Sequence, residues 1–592
     1  MPGVTSPKVS HTASLSYEDT DKYTNIYHPD YIPGTINILL DKIDVSQNQD
    51  IEATPSQPKQ TLKTTENGIV LHPQPTESPN DPLNWSKWKK LYQFCLLTFI
   101  TGFTAATAND AGAIQDSMNE IYDISYDAMN TGAGVLFATI ALTTVILGPT
   151  SFLYGRKITY IICIAMGLIG AGWFASSKTT SDTIWSQLFV GASEACAEAT
   201  VQLSIADMYF SHQLSWALTV YIIATSVGTY LGPLIAGFIV EGTTFRWVGW
   251  VALIISCILL VVIIFTQYET YFDRRKYMYS INGEKQDQID AVVVGEKEKK
   301  DDTLTSSQSN SSSGQLDHPV NIVQDYGASE KKKTFWQNIA PITPSANLVG
   351  LGIKQYFERL FSMLRVFWFP PVVYSGILWG LQDAFLTFYL TTEDDQYYDP
   401  PFNYSNTGVA LMNVPCAIGA FIGCLYAGIF SDQFVLWLAK RRGGIQEAED
   451  YLWFLFALIV LCPVGLIIFA VGTDNLWSWK ITYTLGLGLL GFSFGCAGDI
   501  AMAYLMASYP EMVLEGMIGV AFINNMIGCI FTFTCSPWLD AMGNTNTYII
   551  LACLQFAAVL FNIPFLLYGK RIRSWTKKYY ISYVETRDGL KN

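Results

Sequence analysis

Long apolar runs return again and again along this chain, and they leave few folds open to it. Twelve of them lie at about 91–112, 130–153, 158–177, 183–206, 215–238, 248–267, 370–391, 407–430, 451–472, 481–506, 516–537 and 547–568. Each has about twenty residues, the length at which an α-helix crosses the hydrocarbon core of a bilayer. Inside lipid a segment must satisfy its own backbone N–H and C=O groups, which makes such runs helices. The sequence therefore predicts an all-α integral membrane protein with twelve transmembrane helices. Composition agrees, since 50% of the 592 residues are hydrophobic and only 15% are charged, less charge than a soluble chain of this length usually carries.

The charges that remain are sorted by position. Two segments between spans, "QDSMNEIYDISYDAMN" (115–130) and "TTEDDQYYDPPFNYSN" (391–406), hold acids and no Lys or Arg. Bases collect on the alternate loops: Arg156 and Lys157, then Lys440, Arg441 and Arg442, then "YGKRIRSWTKK" (568–578). The positive-inside rule then places both termini in the cytoplasm and the acidic loops outside. The sequon Asn403-Tyr404-Ser405 falls on an outside loop, where glycosylation is topologically allowed. No signal peptide is expected, because the first apolar run follows about 90 polar residues.

The expected domains are a disordered cytoplasmic tail (1–83), a six-helix half (84–267), a cytoplasmic linker (268–369), a second six-helix half (370–568) and a cytoplasmic tail (569–592). "NWSKWKK" (84–90) reads as an interfacial anchor, with tryptophans at headgroup depth and lysines toward an anionic leaflet. The linker carries "EKEKK" and "SSQSNSSSG" and closes with an amphipathic stretch, "KQYFERLFSMLRVFW" (354–368), suited to the membrane surface. Eleven cysteines lie in or beside apolar spans without a Cys-x-x-Cys pair, so they read as small packing residues. His11, His28, His72, His212 and His318 all lie outside the spans. No metal site, cofactor or nucleic-acid partner is expected, and the chain is expected to be a monomer in the bilayer.

Six spans, a long loop and six spans again is the layout of two parallel half-transporters. "GPTSFLYGRK" (148–157) after span 2 and "AGIFSDQFVLWLAKRR" (427–442) after span 8 are weak echoes of each other. Span 5 carries "VGTYLGPLIAG" (227–237), with Gly228, Gly232, Pro233 and Gly237; glycines let helix backbones approach and proline kinks the helix. These features resemble the major facilitator superfamily, and the span-5 motif resembles its twelve-span drug:proton antiporter branch. "HPQPTESPNDPLNWSKWKK" (72–90) is similar to the segment preceding span 1 in fungal members. "TAATANDAGAIQDSMNEIY", "GLQDAFLTFYLTT" and "CAGDIAMAYLM" resemble the high-affinity polyamine permeases of yeasts, a group also known for taking up histidinol. That resemblance implies a polyamine substrate. One departure stands out. The superfamily loop after span 2 usually carries an Asp-Arg pair, and this chain has Phe152 and Leu153 there, keeping Gly148, Gly155, Arg156 and Lys157, while the second half keeps Asp432.

Five acids fall within the spans: Asp110 near the end of span 1, Glu194 and Glu198 in span 4, Asp383 in span 7 and Asp499 in span 10. None of these four helices has a Lys or Arg in its interior, and a lone charge at the bilayer centre costs about 2.5–3.5 kcal/mol or more. Such groups must face a wet cavity or one another. Residues four apart share a helix face, so Glu194, Glu198 and Gln202 form a stripe. The resemblance implies that spans 1, 4, 7 and 10 line one central cavity, which would gather all five acids. A cavity of carboxylates without counter-charge suits a cation, and Trp379, Phe385, Tyr389 and Tyr504 are candidate aromatic walls for cation–π and methylene contacts. Adjacent carboxylates repel when both are ionised, so Glu194 and Glu198, with Asp383, are the candidates for coupling a proton. Asp207 and Asp432 read as gate or loop contacts, and Asn413, Asn524 and Asn525 as interhelical hydrogen bonders.

The expected function is proton-coupled uptake of polyamines (spermidine, putrescine, spermine) and related amines at the plasma membrane. Two alternatives stay open: an organic-cation:proton antiporter, and a polyamine sensor that does not transport. The absence of a Gly-x4-Gly-Lys-Ser/Thr loop argues against a pump with its own ATPase, and no nucleophile–base pair or metal cluster suggests an enzyme.

Overall fold

In the stretch "NDPLNWSKWKK", side chains start the first span by capping. Asp81 accepts from the Leu83 N–H at 3.0 Å, and Ser86 from the Lys89 N–H at 3.4 Å, which satisfies donors that a helix start leaves unpaired. Trp88 is 79% exposed, as an interfacial anchor should be. Trp85 is used differently: it meets Tyr268 edge-on, and the Lys89 ammonium sits over both rings at 3.8 and 4.0 Å.

The computed structural model describes residues 23, 26–37, 75–272, 274, 330–345 and 348–587. Most of the expected tail and linker, with His11, His72 and His318, lies outside the described residues. The spans run in order through Lys87–Asn109, Tyr126–Leu153 and Arg156–Ala175, then Thr180–Ala195 continued by Cys196–Val201 and Gln202–Met208, then Ser211–Gly242 and Arg246–Thr266. The second half comprises Pro370–Gln396, Asn406–Arg441, Ala448–Asp474, Lys480–Ser508, Pro510–Met542 and Asn544–Thr586. Among the described residues ten helices are long and apolar enough to cross a membrane, and span 7 joins them as an eleventh when counted with Ile353–Trp368, from which it is bent by 82°. Span 4 is the one outside that set, and Glu194, Glu198 and Gln202 are the polar residues that lower its apolarity.

The halves meet along span 2 against span 11 and span 5 against span 8. Small residues make span 5 a close neighbour of span 1. A Cβ on Gly228 would stand 2.4 Å from the Gly102 carbonyl oxygen, and one on Gly232 2.1 Å from that of Ala106. A Cβ on Gly237 would meet Ala410 of span 8 at 2.5 Å, so this glycine serves the contact between halves. Gly232→Ala must push spans 1 and 5 apart. It is expected to cost about 1–3 kcal/mol, read as a lower melting midpoint of the purified protein; an unchanged midpoint contradicts the contact.

Two stretches expected to be tails are ordered in part. Span 12 is followed, past a turn at Phe561, by the helix Asn562–Arg587. Residues 26–37 dock on the second half, where β1 (Thr35–Asn37) pairs antiparallel with β2 (Ile445–Glu447). The physical reason is Arg573, which is fully buried. It donates to Glu449 at 2.6 and 2.8 Å and to Glu447 at 2.8 Å, and it also bonds the Pro33 carbonyl. Gly34 turns there with φ +75° against the Ala507 and Ser508 carbonyls. The end of the molecule carrying these groups, the linker ends and the basic loops is called the basic-loop end below, and the opposite end the acidic-loop end. The amphipathic stretch forms a helix, Ile353–Met363, with Ile353, Phe357, Phe361 and Leu364 exposed along one side. Tyr356 and Tyr154 tie this segment to span 2, through the carbonyls of Ile146 and Leu351 respectively.

Candidate functional site

A cavity of about 420 Å³ lies between the halves. Its carboxylates are Glu194 and Glu198 from span 4 and Asp383 from span 7, each 8% exposed. Trp379 and Asp383 stand one turn apart on span 7, so the indole and the carboxylate face the same space. Spans 1 and 10 contribute Asn109 and Phe494, and spans 2, 5 and 11 add Phe137, Thr225, Thr229, Asn524 and Asn525. Among the described residues no Lys or Arg lines it. Two of its acceptors, Glu198 Oε2 and Asn524 Oδ1, are buried without a hydrogen-bond partner among the described residues. Unpaired buried acceptors are uncommon because each costs about 1–3 kcal/mol.

Span 4 is not a regular helix where it matters. Cys196–Val201 forms a π-helical turn, a feature frequent at functional sites. Two side chains bracket it. Tyr221 donates its hydroxyl to the Ala197 carbonyl at 2.9 Å, and Gln202 donates to the Glu198 carbonyl and to the Tyr221 oxygen, both at 3.0 Å. Gln202 thus holds the π turn and does not line the cavity with the glutamates. The expected stripe breaks because a π turn carries an extra residue, and one residue rotates a helix by about 100°. Tyr221→Phe removes the donor to Ala197. It is expected to cost about 1–3 kcal/mol of stability; a melting curve checks it, and an unchanged midpoint contradicts the bracket.

Two of the five acids lie elsewhere. Asp110 faces a separate cavity of about 410 Å³ inside the first half, with Thr107, Gln187, Ser193 and Ser256. Its neighbour Asn109 faces the centre, since adjacent helical residues point about 100° apart. Asp499 lies outside the lining of the central cavity and accepts from Thr219 of span 5 at 3.4 Å. Asp432 accepts from Tyr451 at 3.3 Å. Of the aromatic candidates only Trp379 lines the cavity. Phe385 and Tyr389 are buried in the core of the second half, where Tyr389 meets Phe469 edge-on, and Tyr504 meets Phe565. Asn413 bonds Glu393 at 3.2 Å. Asn403 is exposed on its loop.

The loop after span 2 has an ion pair that the missing Asp-Arg motif did not announce. Arg156 Nε lies 3.1 Å from Asp207 Oδ2 at the end of span 4. Gly155 takes φ +97°, and Glu269 accepts the backbone N–H groups of Arg156 and Lys157 at 3.0 and 3.1 Å, a carboxylate at a helix N-terminus. Arg274 bonds the Asp207 carbonyl at 2.7 Å and pairs with buried Asp81 at 3.3 Å. Glu269, Arg274 and Asp81 carry no signal in an isolated sequence, because their partners lie far away along the chain.

The family model described as the Major Facilitator Superfamily matches residues 94–533. Protein HOL1 of Saccharomyces cerevisiae is 53% identical over 597 residues, covering 96% of this chain and 100% of that protein. An uncharacterized MFS-type transporter of Schizosaccharomyces pombe is 47% identical over 533 residues, covering 88% and 91%. The MFS antiporter QDR3 of Candida albicans is 22% identical over 582 residues, covering 86% and 81%.

Proposed function

The chain belongs to the major facilitator superfamily, and from that premise we propose that it carries polyamines and related cationic amines inward across the plasma membrane, coupled to protons. As a member it is a multi-pass secondary transporter and not an enzyme. The observation that carries the substrate class is the central cavity: three buried carboxylates, unpaired acceptors on Glu198 and Asn524, and no lining base. A polyamine supplies what this set lacks, several ammonium donors separated by short methylene runs. Glu194 and Glu198 on one wall and Asp383 on the other receive the ammoniums, and Trp379 and Phe494 receive the methylenes and add cation–π attraction. The resemblance of spans 1, 7 and 10 to yeast polyamine permeases points the same way. When the amine leaves, three carboxylates cannot all stay ionised in so small a space, and one takes up a proton; substrate and proton thus compete for the same charge. Both termini are assigned to the cytoplasm by the distribution of bases, and Asn403, exposed on an acidic loop, is the assigned glycosylation site.

The span-5 glycine motif favours a second reading, an antiporter that exports organic cations with the same site. Radiolabelled spermidine counterflow in proteoliposomes, with and without an imposed proton gradient, tests both. The import reading expects exchange without a gradient and accumulation with an inward one. Accumulation driven by an outward proton gradient and not by an inward one supports antiport, accumulation that survives collapse of the gradient contradicts coupling, and binding without counterflow marks a sensor.

A further inference from the structure

The central cavity does not end at Glu194 and Asp383. A larger one, of about 740 Å³, lies between the halves toward the acidic-loop end, and the two share Ala108, Asn109, Leu136, Phe137 and Leu386 in their walls. They run together as one groove with Phe137 and Leu386 at its waist. Among the described residues the one charged group lining the larger cavity is Asp394 of span 7, 6% exposed. Its carboxylate looks across at the first half, where Oδ2 stands 3.9 Å from the place a Cβ on Gly112 would take. A second group calls for a donor. Gln187 of span 4 lines the same cavity as well as that of Asp110, and its Oε1 is buried without a hydrogen-bond partner among the described residues.

Helix geometry sets these groups in register with the inner acids. Span 7 is regular helix through both aspartates, and the eleven residues from Asp383 to Asp394 come within about 20° of three full turns, so the two share a face about 16 Å apart. Leu386 and Leu390 lie between them and line the groove. Span 4 is regular up to Ala195, and the seven residues from Glu194 back to Gln187 come within about 20° of two turns, which puts Gln187 on the same face about 10 Å nearer the acidic-loop end. A linear polyamine has matching intervals. Each bond of an extended chain advances about 1.25 Å, so spermine, thirteen bonds long, reaches about 16 Å, spermidine, nine bonds, about 11 Å, and putrescine, five bonds, about 6 Å.

We propose that the two cavities are a single length-reading site, with Asp383 and the glutamates as its inner pole and Asp394 as its outer pole, and that it selects linear tetraamines of spermine's length. With one terminal ammonium on Asp383, the other reaches Asp394. An internal ammonium comes level with Gln187 and gives its Oε1 the missing donor, while the methylenes pass Phe137, Leu386 and Leu390. Spermidine reaches Gln187 and stops short of Asp394. Putrescine stays within the inner cavity.

The inference rests on the reading of this protein as a polyamine carrier, and its test tells the two apart. Equilibrium binding of radiolabelled spermine, spermidine and putrescine is measured on purified full-length protein. Loss of a buried charged contact is worth a factor of about ten or more. Asp394→Asn is therefore expected to weaken spermine at least tenfold and to leave spermidine and putrescine within about twofold. Asp394→Glu, which keeps the charge, is expected to hold spermine within about threefold of wild type. Gln187→Leu, on a different helix, is expected to weaken spermine and spermidine about threefold and to leave putrescine unchanged. Retained putrescine binding shows that each variant is folded. Unchanged spermine affinity in Asp394→Asn, or an equal loss of all three amines in both Asp394→Asn and Gln187→Leu, overturns the proposal. If wild type binds none of the three, the polyamine reading fails and takes the length-reading site with it. If wild type binds all three and the variants show no dependence on length, the polyamine reading stands and the length-reading site alone falls.

Discussion

Glu198→Gln and Asp383→Asn are each expected to reduce spermidine uptake about 10- to 100-fold at unchanged surface abundance. A hydrogen bond to a charged partner is worth about 1.5–3 kcal/mol, and each 1.4 kcal/mol is a factor of ten. The amides keep the shape of the carboxyls and lose only the charge. Both residues are 8% exposed in the same cavity, so water cannot replace what is lost. Glu198 has the stronger case of the two glutamates on structural grounds. It sits in the π turn held by Gln202 and Tyr221, and one of its oxygens is unpaired. Asp499→Asn is the matched control, since Asp499 contacts Thr219 outside the cavity; its effect on substrate affinity is expected to be under threefold. Uptake assays with surface labelling check all three variants. Wild-type affinity in both Glu198→Gln and Asp383→Asn contradicts the site.

The second large effect is structural. Arg573→Ala is expected to destabilise the protein by about 3–5 kcal/mol, because it leaves Glu447 and Glu449 facing a hole without their partner. The same change frees β1, since Arg573 also bonds Pro33 and Thr35, and proteolysis within 26–37 is expected to speed up accordingly. Arg573→Met, which fills the space without answering the acids, is expected to fare no better. Acidity acts in the same direction. Burial pushes the Glu447 carboxyl up, but the hydrogen bonds from Lys570, Thr35 and Arg573 outweigh it and hold the group below its ordinary value. A depressed carboxyl contributes stability above its unfolded pKa and loses it as pH falls through the folded one. The clamp is therefore whole at neutral pH and fades in strong acid. Melting curves of Arg573→Ala matching wild type contradict this account.

Much of the architecture was legible because lipid makes local sequence decisive. A run of about twenty apolar residues has one way to satisfy its backbone, and Gly228 and Gly232 announce a close helix contact that the structure places against Gly102 and Ala106. What local sequence could not settle is rotation. Asp110 and Asn109 differ by one position and face different cavities. The π turn at Cys196–Val201 parts Gln202 from the glutamates, and nothing in "CAEATV" marks it. Glu393 and Asp394 read as loop because acids seldom end a span, yet span 7 runs on to Gln396 and buries them. The β1–β2 pair was hidden for another reason: three residues make a strand only through a partner about 400 positions away, and the Pro33-Gly34 turn was its one local trace.

The central claim is that a cation is held by Glu194, Glu198 and Asp383 together. Equilibrium binding of radiolabelled spermidine to the purified wild-type protein and to the triple variant Glu194→Gln, Glu198→Gln, Asp383→Asn tests it most directly. The account predicts saturable binding to wild type that is weakened at least a hundredfold in the triple variant, with the variant still folded by its melting curve. Equal affinity in the two proteins would contradict it.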